Sequence, residues 1–138
     1  MALVNSVKTT KYGVDKNILI APDQAFTIGC LVGNSGVTAD SNGRKIIKAG
    51  TPVGSTVNVF ENRQTVLVVT NTANAGSPAA TDGKNSKGVL LHDVDVTDGD
   101  ANATLVVAGY VDLLKLDVTP VADAKAALSR ILFIKGAK

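Results

Sequence analysis

The chain has 138 residues, which suits one compact domain with a single core. Hydrophobic residues make up 45% of it and aromatic residues only 4%, without Trp, so the composition favours a core of Val, Leu, Ile and Ala over an aromatic-lined ligand pocket. The net charge of +2 is too small to predict nucleic-acid binding, and the single Cys30 excludes an internal disulfide.

The charge is distributed unevenly along the chain. Residues 1–50 carry six basic and three acidic side chains, residues 88–123 carry one basic and seven acidic, and residues 124–138 carry four basic and none acidic. Two interpretations stay open: opposite charges that face one another between copies or between the chain and a partner, or ordinary surface charge that keeps the protein soluble.

No apolar stretch approaches the roughly 20 residues that span a bilayer, and the N-terminal stretch lacks the long apolar core of a secretory signal. The sequence therefore predicts a soluble protein that is made in the cytoplasm and does not bind a membrane.

Residues 1–16 show little periodicity, so we predict an extended N-terminal arm. NILIAP and AFTIGCLVG follow as two short β-favouring runs, and Cys30 in the second is predicted to be a buried thiol. Asn42-Gly43 predicts a type I′ hairpin, because both residues tolerate the positive φ that this turn requires, with RKIIKAG as the returning strand. GTPVG is then predicted to be a turn, and VNVF and QTVLVVT to be strands.

Residues 71–87 are rich in Asn, Ala, Gly, Ser and Thr and have no apolar stripe, which predicts a long loop. This loop is either exposed and tolerant of change or dedicated to binding. GVLLHDVDV and ATLVVAGYVDLLKL, which follow it, are the most strongly β-patterned segments of the chain.

The period then changes and predicts one short helix over about residues 120–129. Thr119 is the predicted N-cap, Pro120 fits the first helical position, and Asp123 lies near the positive end of the helix dipole. RILFIK is predicted to return to strand. The fold class is therefore mainly β, with a single domain over residues 17–138 that forms a small β-barrel or a β-sandwich-like fold.

An acidic segment lies in the C-terminal half of the chain and holds His92, Asp93, Asp95, Asp98 and Asp100. As part of one strand, Asp93 and Asp95 would share a face and His92 would lie on the other. A calcium loop that began at Asp93 would need Gly at its sixth position and Glu at its twelfth, and the chain has Asp98 and Thr104 there. We therefore predict no metal site and interpret Asp98-Gly99 as a turn between two strands. A looser cation site among the four aspartates stays an open alternative.

No catalytic template fits the chain, so we predict that it is not an enzyme and holds no cofactor. It has one histidine, one glutamate (Glu61), no nucleophile beside a base and no glycine-rich phosphate loop. GNSG at residues 33–36 lacks the five-residue frame of a nucleophile elbow. Cys30 and His92 are too few for a four-ligand zinc site.

Two single residues have competing interpretations. His92 is predicted to be hydrogen-bonded and semi-buried beside Leu90 and Val94. Tyr110 is predicted to pack with its hydroxyl at the surface, although a subunit interface would also suit it. Lys8, Lys11 and Lys16 suit an acidic partner, but without interleaved aromatic residues they do not form a nucleic-acid platform.

Two segments carry a resemblance to the head decoration and head fiber proteins of tailed bacteriophages. GVLLHDVDVTDGDANATLVVAGYVDLLKL, followed by AKAALSRILFI, is similar to the strand, Thr-Asp-Gly turn and Val-rich strand of those families, and RKIIKAGTPVG resembles a segment upstream. The matching positions are Gly88, Val89, Leu91, Asp93, Val94, Asp95, Thr97, Asp98, Gly99, Gly109, Val111, Asp112 and Leu113. The resemblance covers residues 44–56 and 88–135 and leaves the arm and the 71–87 loop unmatched.

The resemblance implies a structural protein on the outer surface of the virion that binds the assembled head and stabilises the shell. Its partners would be the major capsid protein and further copies of itself, as a homotrimer, with no nucleic acid. The arm would contact the capsid lattice. The predicted arm contacts are Leu3, Val4, Val7, Lys8, Lys11 and Tyr12, and the predicted subunit contacts are His92, Asp93, Asp95 and Tyr110.

Two other classes of protein stay open. A tail or baseplate structural component would share the β-rich composition. A small glycan-binding module would need a concave site, and the shortage of Trp and Tyr speaks against carbohydrate stacking.

Overall fold

The computed structural model describes residues 17–73 and 82–135, and the mainly β fold predicted from the sequence is confirmed. The strands are β1 Phe26–Val32, β2 Ile46–Ile47, β3 Pro52–Gly54, β4 Val66–Val69, β5 Ser86–Leu90, β6 Val94–Asp95, β7 Ala101–Asp112 and β8 Ile131–Ile134. One α-helix, α1, spans Ala122–Ala127, and short 3-10 turns lie at Pro22–Gln24, Gly83–Asn85 and Leu113–Lys115. The predicted arm at residues 1–16 lies outside the described residues.

Five of the strands close into a barrel in the order β1-β4-β3-β5-β7. Closure comes from β7, which pairs antiparallel with β1 from Ala101 opposite Val32 to Ala108 opposite Phe26. The other pairs of the ring are antiparallel too, except for parallel β1 and β4. Residues 109–112 of β7 run beyond the ring and pair in parallel with β8.

Two apolar clusters lie on opposite sides of the β5–β7 wall. Leu90 and Leu105 face the barrel interior, whereas their chain neighbours Val89 and Val106 belong to a second cluster outside the ring. Ile18, Leu19, Val111, Leu128 and Ile131 complete the second cluster. Because both faces of this wall are covered, Val89 and Leu90 in β5, and residues 105–107 in β7, are consecutive apolar residues instead of alternating ones.

The turn at residues 40–43 is not the predicted type I′ hairpin. Gly43 has a φ of +79°, but Asn42 does not have a positive φ. The Gly43 N–H donates to the Asp40 carbonyl, and Asp40 Oδ1 accepts hydrogen bonds from the N–H groups of Asn42 and Arg44. The Asp40 carboxylate therefore stabilises a three-residue loop that ends in a left-handed glycine.

The GTPVG segment, predicted to be a turn, forms a buried strand of the barrel. Pro52 is tolerated because it is the first residue of β3, and its carbonyl accepts a hydrogen bond from the Thr70 N–H. Gly54 is required at its position because a Cβ there would collide with the Asn85 carbonyl. The prediction of a turn was wrong, because Pro52 and Gly54 occupy strand positions that the packing of the barrel allows or requires.

Two further segments differ from their predicted structure. VNVF is not a strand, since residues 57–60 form turns that place Val59 in the barrel core. The loop predicted at residues 71–87 is shorter, because Thr72 bridges to Asp82 and β5 already begins at Ser86. Residues 74–81 lie outside the described part of the chain.

The C-terminal helix is shorter than the predicted 120–129, and its N-cap is Val121 instead of Thr119. The Val121 N–H donates to Asn71 Oδ1 at 2.8 Å, and Asn71 Nδ2 donates to the Thr119 carbonyl. A side chain from a distant part of the sequence therefore stabilises the start of α1. Among the described residues, no helix is long and apolar enough to cross a bilayer.

Candidate functional site

The acidic segment does not lie on one strand, so the predicted alternation of His92 against Asp93 and Asp95 is wrong. The barrel strand β5 ends at Leu90, and β6 begins at Val94 in a separate two-stranded sheet with β2. The intervening bend takes the chain from the barrel wall to this small sheet.

Asp93 accepts a hydrogen bond inside the fold. Its Oδ1 lies 2.7 Å from the Ala49 nitrogen, and its Oδ2 lies 3.7 Å from Lys48 Nζ. Ala49 is only 5% exposed, so water has little access to the N–H that Asp93 binds. The Asp93 side chain therefore links the segment after β2 to the connection between β5 and β6 by a hydrogen bond.

Asp95 organises the turn that leads into β7. Its carboxylate accepts hydrogen bonds from the hydroxyl and the N–H of Thr97, and Thr97 Oγ1 accepts one from the Lys45 N–H at 2.9 Å. The Thr97 hydroxyl above all, then its N–H, and to a lesser degree Arg44, hold the pKa of Asp95 below its ordinary value against a small desolvation penalty. The bonds from Ala49 to Asp93 and from Lys45 to Thr97 join the two segments that carry the resemblance, residues 44–56 and 88–135.

The turn predicted at Asp98-Gly99 is confirmed. Gly99 has a φ of +131°, and its N–H donates to the Val96 carbonyl at 3.2 Å. In the described ranges, no three His, Cys, Asp or Glu side chains are grouped so that they could hold a metal ion together.

Asp93 and Asp95 line an open groove on the outer face of the β2–β6 sheet. Arg44 and Lys48 share this groove with them, and Ile46 lies between the charged residues. Asp40 lines it as well, so the groove holds three acidic and two basic side chains and its net charge is small.

His92 is exposed instead of semi-buried, because the bend after Leu90 takes it off the barrel wall. It lines a second depression of about 430 Å³, together with Leu19, Ala25 and Leu91. Asn17, where the described chain begins, lies at the same depression.

Tyr110 lies in a row of exposed apolar side chains, which we call the apolar row: Ile20, Tyr110 and Leu132. Tyr110 and Leu132 are paired across β7 and β8, so their side chains lie on one face. The Ile20 N–H donates to the Tyr110 carbonyl from the opposite flank of β7. The three side chains are 47%, 37% and 55% exposed in chain order.

Three basic side chains converge on a depression of about 310 Å³ that sequence reasoning missed, which we call the basic depression. Lys84 comes from the Gly83–Asn85 turn, Lys87 from β5, and Arg130 from the turn between α1 and β8. Phe60 lines it as well, and no acidic side chain of the described residues does. The one sequence signal was the lack of acidic residues after position 123.

Cys30 is buried, as predicted, with 7% of its surface exposed. Burial raises the pKa of its thiol, and the nearby charge of Arg63 only partly opposes this. The thiol is therefore protonated at neutral pH.

The predicted subunit-contact residues do not share one surface. Asp93 and Asp95 lie at the charged groove, His92 at a second depression, and Tyr110 in the apolar row. The predicted arm contacts Leu3, Val4, Val7, Lys8, Lys11 and Tyr12 lie outside the described residues.

No protein-family model matches the chain, and no curated protein matches it significantly. The resemblance to phage head proteins therefore rests on short segments alone.

Proposed function

We propose that the chain is a structural decoration protein of a tailed-bacteriophage head. It binds the outer surface of the assembled shell, contacts the major capsid protein, carries out no catalysis and stabilises the head. The observation that carries the proposal is the apolar row, because Tyr110 and Leu132 on paired strands, and Ile20 bonded beside them, expose three large apolar side chains to water. Exposed apolar surface of this kind is typical of protein-binding sites.

The strand that bears Leu132 adds a second feature suited to protein binding. Among the described strands, β8 pairs with β7 alone and is the last of its sheet. An edge strand offers N–H and C=O groups to an added strand, and pockets or exposed side chains beside it give specificity. The apolar row and the β8 edge together suit an extended segment of a partner protein.

The resemblance covers the strands that bear this surface, although neither Tyr110 nor Leu132 is among its matching positions. Tyr110 lies within GYVDL and Leu132 within ILFI, two of the segments that are similar to phage head proteins. Asp93, Asp95 and Thr97 also lie in the similar segments, but their hydrogen bonds are within the fold. In this proposal those residues support the scaffold, and the ends of β7 and β8 contact the capsid.

The described chain begins close in sequence to the apolar row. Residues 1–16 precede Asn17, and Leu19 bridges to Val111 only two residues later. Ile20 of the apolar row follows directly. The arm and the apolar row would therefore contact neighbouring parts of the same capsid surface.

Stabilisation of the shell follows from linked binding. A protein that binds the assembled head and not its separated subunits adds about 2.7 kcal/mol per site when its free concentration is 100 times Kd. Many copies on one head stabilise many subunit contacts. Self-association as a homotrimer, implied by the resemblance, would add avidity to each contact.

The proposal is tested by sedimentation of the full chain with undecorated heads of the phage that encodes it. We expect the wild type to sediment with the heads, and Leu132→Glu to bind at least about tenfold more weakly, because a carboxylate would be desolvated at the contact. Leu114→Glu is the matched control, since Leu114 is comparably exposed but lies outside the apolar row.

Deletion of residues 1–12 should also weaken head binding and leave the domain folded by circular dichroism. Heads that do not bind the wild type, or that bind Leu132→Glu as well as the wild type, would contradict the proposal. Gold-labelled protein found on the tail would instead favour the tail or baseplate alternative.

A further inference from the structure

The basic depression brings together cations from two distant parts of the chain. Lys84 and Lys87 lie on either side of the buried Ser86 in the chain, and Arg130, Val107 and Leu128 line the same depression. Solvated surface lysines normally point away from one another, whereas these three line one concavity. Its positive potential is therefore concentrated at one place on the surface.

The acidic side chains nearest in sequence do not line this depression. Asp82 is buried, and its Oδ1 accepts the Lys84 N–H at 3.0 Å as a cap of the Gly83–Asn85 turn. Asp123 lies beside Gly83 and makes an interaction of its own. Neither carboxylate occupies the concavity.

A second charged feature lies at the start of β7, and we call it the acidic turn: Asp98 and Asp100. Both residues are exposed. Unlike Asp93 and Asp95, they do not line the groove that contains Arg44 and Lys48. Val66, which is exposed, and Asp100 both lie close to Gly33.

The two features are too far apart to neutralise each other within one molecule. Val107 lines the basic depression and is seven residues along the chain from Asp100, which at ~3.3 Å per residue is about 20 Å of strand. The Debye length in physiological salt is only about 8 Å. At a separation of this order, salt screens most of the attraction between the two features of one molecule.

We propose that the acidic turn of one copy docks on the basic depression of the next copy. The chain itself supplies the complementary charge, which identifies a second copy as the occupant. Exposed charge pairs contribute only about 0–1 kcal/mol each, so apolar contact is needed as well. Phe60 beside the basic depression and Val66 beside the acidic turn supply it.

Such a contact joins two different surfaces and is therefore head-to-tail. Head-to-tail contacts close into a ring when the rotation between copies permits. This inference rests on the self-association in the proposed function and not on capsid binding. It uses residues other than the subunit contacts predicted from the sequence.

Charge reversal tests the contact, with the association state of the full chain measured by analytical ultracentrifugation. The basic depression is reversed by Lys84→Glu, Lys87→Glu and Arg130→Glu, and the acidic turn by Asp98→Lys and Asp100→Lys. We expect the wild type to self-associate, and each reversed set alone to weaken association at least about tenfold through like-charge repulsion. About 1 M salt, where the Debye length is ~3 Å, should weaken the wild-type association.

Combining both reversed sets in one chain restores opposite charges at the contact and should restore association. Lys115→Glu, an exposed change outside both features, is the matched control and should have no effect. Circular dichroism and thermal melting show whether each variant is folded, and the equimolar mixture of the two singly reversed chains provides a second test. In that mixture, the intact acidic turn of one variant meets the intact basic depression of the other, and the reversed turn meets the reversed depression, so contacts should form between unlike chains.

A wild type that stays monomeric, single reversals without effect, or failure of both the combined chain and the mixture to associate would overturn the inference. If the chain binds heads as a monomer, the inference fails and the proposed function stands. If the charge reversal behaves as expected but heads are not bound, the inference stands and the capsid assignment fails.

Discussion

Replacing Asp93 by alanine should destabilise the protein by about 2 kcal/mol. The change removes the acceptor of the buried Ala49 N–H, and an unpaired buried donor costs about 1–3 kcal/mol. The lost ion pair with half-exposed Lys48 adds less than about 1 kcal/mol because water screens it.

The expected loss corresponds to a clear change in thermal stability. For 138 residues at ~2.1 cal/mol/K per residue, the unfolding entropy is about 0.3 kcal/mol/K, so 2 kcal/mol lowers Tm by about 7 °C. Urea unfolding followed by far-ultraviolet circular dichroism measures the free energy directly. If the slope of the unfolding free energy against urea concentration is the same in the variant and the wild type, the variant unfolds from the same native state.

Two matched variants separate the hydrogen bond from the charge. Asp93→Asn keeps an amide oxygen as acceptor and should cost less than about 1 kcal/mol. Asp100→Ala removes an exposed carboxylate and should change stability by no more than about 0.5 kcal/mol. If Asp93→Ala is as stable as Asp100→Ala, the structural role assigned to Asp93 is wrong.

Three further results are expected. Thr97 holds the pKa of Asp95 low, so the ionised Asp95 stabilises the fold above pH 3.8, its ordinary pKa, and this stabilisation is lost as the pH falls through the lower pKa of the folded state. The free energy of unfolding should therefore fall less steeply with decreasing pH in Asp95→Asn than in the wild type. The same dependence on acid pH in both proteins would contradict this. Buried Cys30 should react with a thiol reagent roughly a hundredfold more slowly in the folded than in the denatured protein, and equal rates would refute its burial. Gly88→Ala should lower the free energy of unfolding by about 1–3 kcal/mol, because the new Cβ would lie 2.5 Å from the Val106 carbonyl oxygen. Gly29→Ala, where no atom lies within 4 Å of the new Cβ, should leave the stability nearly unchanged. Equal losses in the two variants would contradict the close packing at Gly88.

The long strands could be predicted from the sequence because their composition determines them locally. β1, β4, β7 and β8 are runs of β-branched and apolar residues, and burial on both sides of the β5–β7 wall keeps those runs apolar. The helical spacing of Ala124 and Leu128 likewise predicted α1. Its N-cap could not be predicted, because the stabilising side chain is that of distant Asn71.

The short strands could not be predicted, since they depend on contacts between distant residues. β2 and β6 have two residues each, and the bonds that fix them join Ala49 to Asp93 and Lys45 to Thr97 across 44 and 52 residues of sequence. In β3, Pro and Gly resemble turn signals, but closure of the barrel decides their conformation.

The surface features, too, could be predicted from the sequence only in part. The sequence reveals that basic residues are concentrated at its end, but only the fold brings Arg130 beside Lys84 and Lys87. It also suggests Tyr110 as a contact residue, while Ile20 and Leu132 become its neighbours through strand pairing. His92 was misplaced because no local pattern predicts the bend that follows Leu90.

Thermal melting of undecorated heads, with and without the purified protein, tests capsid stabilisation most directly. We expect the melting temperature of the heads to rise with protein concentration and to level off once every site is filled. Leu132→Glu should produce a smaller rise at the same concentration. A melting temperature that does not change at any protein concentration would contradict the proposed function.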